Sequence, residues 1–520
     1  MKLNKVFLLC ALVLSGCNKT SNNNSVQPDG SDGEHVEKPV MTLADKWAGE
    51  SGVVEHDLNQ SIFITNYDIP IDREDVDSIG FKIEPKANSV ASPLKGVYSG
   101  KYLSSLESQS GDIITVPVYG MYSSYVNTID FEIKFKDQSV YNFHKELSVP
   151  VYQNFNNKLE RLDIIQTPSK PLSFSYYAMQ SKTTQGMVIA DVDGNIRWVF
   201  NEDKLQGLAN RSGLFYLGEF VRQYKDWLVF QSLTGKEHRI QIKSHMTLMT
   251  PHHEINIGRD GLLLNVSGYI DGERKRESVL LEVNPKTGTV LKTWDLGKIL
   301  SKWMTSNGDD PSEFVGSGIV RDWFHMNSAI YDSNDDTVII SSRENFIIKL
   351  DYNSGKPIWI FGDKTKIWGN YPSLFDIALK TEGMPPIGQH ALSIEQNGNL
   401  LMFNNGHESE HQPEGKLTGE SLTTSKVVSY RINDKNKSAI QTWSYDGGVK
   451  CDICSSVYRK DNDYLITYSS IDMKSPRNRH EEIRFISSDS SVEGRFQFYG
   501  MCLVWNAKII EPNVEYVAKV

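Results

Sequence analysis

A chain of 520 residues can bury a large core and is long enough for more than one domain. Its formal net charge of -10, with Lys and Arg nowhere gathered into a stripe, excludes a general nucleic-acid binder. With 39% hydrophobic and 23% charged residues the composition is that of a soluble globular protein, so any anion it handles must be met by positive charge concentrated in a cleft.

The N-terminus reads as a processing segment. Lys2 and Lys5 precede the apolar run Val6 to Leu14, and Leu14-Ser15-Gly16-Cys17 follows as a lipobox. Residues 1–17 are then a lipoprotein signal peptide whose Cys17 carries the lipid, and 18–45, rich in Asn, Ser, Asp and Gly, a flexible tether. The apolar run is too short to span a bilayer; an uncleaved anchor is the alternative. This reading places the protein in a bacterial cell envelope, facing the periplasm or on the outer membrane, held to the membrane by its N-terminal lipid.

Residues 46–152 alternate apolar and polar in short runs, as in Ser61 to Thr65, Ile113 to Val118 and Ile129 to Phe135, with Gly, Pro and Asn between them. The pattern predicts an N-terminal β-sandwich domain. No catalytic constellation falls in it, which leaves it for docking or homodimer formation.

Over 158–520 a turn followed by an apolar strand recurs at Gly186 to Ile189, Asp226 to Phe230, Asp260 to Leu264, Asp336 to Ile340, Gly398 to Phe403 and Asp463 to Thr467. A second unit, turn then strand with a Trp, recurs at Asp193 to Trp198, Lys286 to Trp294, Asn353 to Trp359 and Asn433 to Trp443. All-β content repeating every few tens of residues predicts a six-bladed β-propeller, with insertions near 296–320 and 363–387. A two-sheet β protein with longer loops is the structural alternative.

Three segments place a His just upstream of a turn-strand unit: Pro251-His252-His253-Glu254, Asp322-Trp323-Phe324-His325-Met326-Asn327 and Gly388-Gln389-His390-Ala391. On a propeller these positions sit on the strands nearest the axis, at one mouth. Arg343, ending the next strand after His325, returns to that mouth because neighbouring strands are antiparallel. Imidazoles, an Asn amide and an Arg are the donor set for an anionic tetrahedral ester. Carboxylates, which a metal or glycosidase site would need, are largely absent from these positions, Glu254 being the one candidate. Even so, a metal-dependent hydrolase or lyase with His253, His325 and His390 as ligands stands as a rival, and a propeller that binds an anion without turnover as another.

Two further motifs are weighed. His407-Glu408-Ser409-Glu410-His411 satisfies the zinc-protease pattern, but Asn404-Asn405-Gly406 before it and Gln412-Pro413-Glu414-Gly415 after it predict a polar loop at the channel mouth. Once Cys10 and Cys17 are set aside, Cys451, Cys454 and Cys502 remain. The Cys451-Asp452-Ile453-Cys454 spacing in an oxidising compartment predicts a disulfide stapling a short loop, with metal or redox chemistry the alternative and Cys502 buried and free.

Asp-Trp-Phe-His-Met-Asn at 322–327, Ser-Ser-Arg at 341–343, Gly-Gln-His-Ala at 388–391 and Ser-Lys-Val-Val-Ser-Tyr at 425–430 resemble the signature segments of bacterial aryl-sulfate sulfotransferases. Those enzymes are periplasmic six-bladed propellers with an N-terminal β-domain and need no nucleotide sulfate donor. The resemblance implies that His390 is transiently sulfated, that His325, Asn327 and Arg343 hold the sulfate, and that the His252-His253 pair supplies a further partner, His253 being favoured. It implies a phenolic sulfate donor, a phenol acceptor, ping-pong turnover and no cofactor or metal. The family's disulfide in the last part of the propeller has its nearest counterpart here in Cys451 and Cys454, at a shorter spacing.

Overall fold

The computed structural model describes residues 41–57, 61–105, 112–152, 163–180, 187–199, 213–249, 253–316, 321–451, 453–472, 479–499 and 504–517. The signal region with Cys17 and the tether up to residue 40, and also His252 and Cys502, lie outside the described residues; the last residues expected as tether instead enter the short helix Leu43–Lys46, whose Ala44 packs into the core. Among those described, no helix is long and apolar enough to cross a membrane. Residues Leu43–Val520 form one compact unit, almost entirely of antiparallel sheet.

Two sheets come first. One orders Val54–Asp57, Ile64–Pro70 and Ile113–Tyr119; the other orders Val514–Tyr516, Leu94–Ser99, Val76–Ile83, Tyr125–Phe135 and Val140–Val149. Period-two burial in Val76–Ile83 and Tyr125–Phe135 turns Ile79, Phe81, Ile83, Phe131 and Ile133 inward, where they meet Tyr67, Ile69, Val116 and Val118 of the first sheet in one core. Each such side chain, fully buried, contributes about 1.5–3 kcal/mol. The core does not stop at residue 152: Met187, Ile189, Trp198, Phe220 and Leu233 belong to it. Near the other end of the chain, Val514–Tyr516 lies parallel to Leu94–Ser99, and Tyr516 stacks on Tyr98 with ring centroids 4.7 Å apart.

From residue 163 on, six sheets of four or five strands follow one another. The turn-strand units read from the sequence each supply an interior strand: Leu262–Ile270, Thr337–Ser342, Leu400–Asn404 and Asp463–Ile471 are the second strand of their sheets, and Met187–Asp191 and Trp227–Ser232 the third, counted from Asn506–Ile510 and Leu214–Tyr216 respectively. The Trp units supply strands further out, with Trp198, Trp294 and Trp359 buried. Turn chemistry sets the register: Gly288 has φ 70°, and a Cβ there would lie 1.8 Å from the Gln241 carbonyl oxygen, so only glycine fits the turn. The strand Asn506–Ile510 pairs with Tyr176–Gln180, and Asp163–Gln166 pairs with Val492–Tyr499, so the sheets at either end are each completed from the other end of the chain.

The first expected insertion contains the helix Leu296–Ser306, capped by Asp295, whose carboxylate accepts from Lys298 N at 3.1 Å. Its Leu296, Leu300 and Met304 recur every four residues and bury one face. The second contains two short helical turns, Ile367–Asn370 and Pro372–Phe375, with Trp368 in the core.

The Cys451–Cys454 disulfide expected from the spacing is not formed. The segment is held through its backbone instead: both cysteine carbonyls accept from Asn405 Nδ2, at 3.0 and 3.1 Å. Cys451 bridges Ile471, while Cys454 turns away with φ 62°.

Candidate active site

The three histidine segments arrive at the first strands of successive sheets. His253 precedes Ile255–Ile257, His325 precedes Met326–Asp332, and His390 lies in Gln389–Ile394. At each arrival the backbone turns left-handed at a non-glycine residue: φ is 61° at His253, 48° at His325 and 51° at Ala391. Pairing shifts register beside two of them, between Met326 and Ser328 and between His390 and Ser393. Such bulges re-aim side chains at a local cost of about 1–3 kcal/mol per strained residue. Here they gather the rings. His253 Nε2 lies 3.1 Å from His325 Nε2, and the His253 and His390 ring centroids are 5.5 Å apart.

The rings sit in opposite electrostatic surroundings. His325, with its side chain 12% exposed, presents Nδ1 to Asp322 Oδ2 at 2.6 Å and to Glu277 Oε2 at 3.0 Å. Burial favours the neutral ring, but the two carboxylates outweigh it and raise the pKa to about 9. At neutral pH His325 is therefore an imidazolium donating from both nitrogens, and His253 Nε2 accepts. Among the described residues, the hydrogen-bond partners of His390 are Gly388 O and Asn405 Oδ1, neither of them a carboxylate. Burial, with the charges of Arg343 and His325 adding to it, lowers its pKa to about 3. It is a neutral imidazole within electrostatic reach of a protonated one.

The tautomer of His390 is set from outside. Asn405 spends its Nδ2 on the carbonyls of Cys451 and Cys454, so its Oδ1 must face His390 Nδ1, 2.8 Å away. The proton then resides on Nδ1, and Nε2 carries the lone pair.

Arg343 follows the strand Thr337–Ser342 and is tied to the first strand of its own sheet through Arg343 N donating to His325 O at 3.1 Å. Its guanidinium meets Glu344 at 2.5 Å, Glu410 at 3.3 Å and His411 Nδ1 at 3.3 Å. Burial lowers the guanidinium pKa, and Glu344 more than restores it. Burial alone would raise Glu344, but His411, Arg343 and Ser409 hold its carboxyl well below the usual range. Glu344 also accepts from the backbone N–H groups of Glu410 and His411, at 2.8 and 2.9 Å, and so pins residues 407–411 over the site as a loop, the conformation predicted from their flanks. The His411 ring lies 6.4 Å from that of His325.

Other predicted residues have structural duties. Asn327, 1% exposed, donates to Gln389 O at 2.6 Å and ties the strand of His325 to that of His390. Trp323, Phe324 and Phe403 are core residues. Glu254 is saturated by Ser328, Asn256, Asn506, Lys508 and Tyr458, and these partners keep its pKa low despite burial.

The expectation that carboxylates are missing from the site is corrected: Asp322 and Glu277 both touch His325. Asp322, three residues upstream of His325, was visible as a neighbour. Glu277 and Asn405 carried no signal, because they reach the histidines from other strands or loops. His253, Glu277 and His325 form a group able to hold a metal ion, with candidate ligand atoms within 4.8 Å of one another; His390 is not part of it.

The family model for arylsulfotransferase (ASST) matches residues 142–501. The arylsulfate sulfotransferase AssT of Escherichia coli O6:H1 is 23% identical over 319 residues, 49% of this chain and 52% of that protein. The arylsulfate sulfotransferase AssT of Lelliottia amnigena is 24% identical over 352 residues, 54% of this chain and 57% of that protein. The chain thus spans about half the length of the curated relatives it matches. Among solved structures, the periplasmic gluconolactonase PpgL of Pseudomonas aeruginosa is similar at 9% identity and TM-score 0.35, covering 65% of this chain and 99% of that one, a likeness too loose to carry weight.

Proposed function

The chain belongs to the arylsulfotransferase family, and we propose that it moves a sulfuryl group from a phenolic sulfate ester to a phenol in two steps through a sulfohistidine at His390. The six consecutive sheets are read as the blades of one six-bladed propeller and the two N-terminal sheets as a sandwich packed on it. One observation carries the proposal: a neutral imidazole with its lone pair on Nε2 lies against His253 and within electrostatic reach of an imidazolium and a guanidinium.

In the first step His390 Nε2 attacks sulfur and the bond from sulfur to the aryl oxygen breaks. The phenolate, whose conjugate acid has a pKa near ~10, takes a proton delivered by the His325–His253 pair. Charge spreads over the three sulfuryl oxygens as in phosphoryl transfer, and Arg343 stands nearby as a permanent counter-charge. The Asn405 carbonyl oxygen, hydrogen-bonded to His390 Nδ1, stabilises the positive charge that develops on the attacked ring. In the second step an acceptor phenol returns its proton to the pair, its oxygen takes the sulfuryl group, and the nitrogen–sulfur bond breaks. Asp322 and Glu277 keep the pair charged between turnovers.

The lipobox ending at Cys17 supports an envelope lipoprotein, periplasm-facing or on the outer membrane, with the N-terminal sheets available for docking or dimerisation. Mass spectrometry after brief exposure to an aryl sulfate without acceptor tests the mechanism. A sulfuryl adduct on His390, absent in His390→Asn, is the expected result; an adduct on a serine, or none alongside intact turnover, would defeat it.

A further inference from the structure

The left-handed turns that gather the rings have a second consequence at a third position. Glu277 is also a left-handed non-glycine residue, φ 47°, like His253 and His325 at 61° and 48°. Three side chains with metal-ligating atoms are thus held in place by strained backbone, and those atoms lie within 4.8 Å of one another. The two ring nitrogens are closer still, 3.1 Å apart. Two nitrogens on one tetrahedral zinc, each bound at 2.0–2.1 Å, stand about 3.3 Å apart, so the pair needs only a few tenths of an ångström of opening.

The surroundings are those of a metal ligand. Asp322 and Glu277 hold His325 Nδ1 at 2.6 and 3.0 Å, which fixes the ring orientation and directs Nε2 toward His253; to reach an ion at the two Nε2 atoms the Glu277 carboxylate turns from Nδ1 and leaves that contact to Asp322. A carboxylate behind a histidine in this way is the usual support of a zinc-bound imidazole. The positive charge closest to the group is largely spent: Arg343 is paired with Glu344 and Glu410, and Arg276 lies 3.7 Å from Asp322. Two imidazoles and a carboxylate suit zinc or copper(II), whereas magnesium and calcium require more oxygen ligands.

We propose that His253, His325 and Glu277 bind one divalent cation of the zinc and copper class, and that its occupancy stops sulfuryl transfer. Binding releases to solvent the proton held between the two ring nitrogens, and a fourth coordination position remains for water. The ion then occupies the nitrogens that would carry the leaving-group proton, so the metal-loaded protein has no acid to offer. Binding stands on the geometry alone; the inhibition rests on the transferase reading above.

The test uses the untagged full chain, stripped of metal by a chelator. Zinc chloride is titrated calorimetrically, and transfer from 4-nitrophenyl sulfate to phenol is followed across the same zinc concentrations. One equivalent of zinc should bind, transfer should fall with the same midpoint, and magnesium should do neither. Glu277→Gln and Asp322→Asn, both nearly isosteric, should each weaken zinc binding by about 10- to 100-fold, with thermal melting confirming that both are folded. Absence of one-to-one binding below millimolar zinc, or undiminished affinity in both variants, would overturn the site. Zinc binding with transfer intact would overturn the inhibition. If zinc binds with the expected variant sensitivities but the stripped protein transfers nothing from any aryl sulfate, the metal site stands and the transferase reading falls.

Discussion

His253 and Glu254 are neighbours in the chain, both buried, and they belong to two polar clusters built on opposite principles. Around Glu254, five side chains from four of the six sheets converge on one carboxylate until its hydrogen-bonding capacity is filled, and its charge state is secure. Around His253, two further imidazoles are held in different protonation states, one with its pKa raised to about 9 and one lowered to about 3. A saturated cluster has nothing left to exchange and serves as a rivet between sheets. A cluster whose members are pushed apart in pKa keeps a neutral imidazole and an imidazolium together at one pH, the combination that the proposed transfer uses.

The sharpest way to break the comparison is to exchange the effects. His390→Asn should abolish transfer, with a loss on the order of 10⁴- to 10⁶-fold in kcat, while leaving the melting temperature nearly unchanged. A collapsed melting temperature would mean that the histidine cluster is also structural. Glu254→Ala should do the reverse. It strands Lys508 in the interior, and breaking a buried charge pair costs about 3–5 kcal/mol, read as a lowered midpoint in urea unfolding. Unaltered stability would remove the rivet.

Next in size is the acid. A group whose pKa is raised in the folded protein keeps its proton up to the raised value. His325 is therefore imidazolium below about pH 9, and transfer should decline as pH rises through that value. Glu277→Gln removes one of the two carboxylates responsible, so in metal-free buffer the alkaline limb should move to lower pH. An unmoved limb would assign it to another group. His390 protonates only near pH 3 and should add no acid limb in the neutral range. The smallest effect concerns orientation. Asn405→Ala releases His390 Nδ1, and misdirecting the lone pair should cost roughly a hundredfold in kcat with little change in KM.

Much of this molecule is legible in its sequence because much of it is local. The turn-strand units mark an interior strand of each of the six sheets, since period-two burial and turn residues act over fewer than ten positions. The loop character of 407–411 follows from Asn-Gly and Pro flanks in the same way. Partners are less legible: the Cys451–Cys454 spacing points to a disulfide, whereas the segment is organised by the Asn405 amide, 46 residues from Cys451. The carboxylates judged missing from the histidine positions came instead from Glu277, on a strand of the preceding sheet, and from Asp322, whose place in the chain is local but whose contact depends on the left-handed turn at His325.

From the order of residues alone came the succession of strands, the three histidine segments and the arginine that accompanies them. Which imidazole holds a proton, which tautomer His390 adopts and which buried carboxylate is a rivet rather than a counter-ion were decided only by the folded chain. The reason is that strand formation depends on neighbours along the backbone, whereas ionisation depends on charges and donors a few ångströms away in space, where Coulomb energy falls with distance and rises as water is excluded.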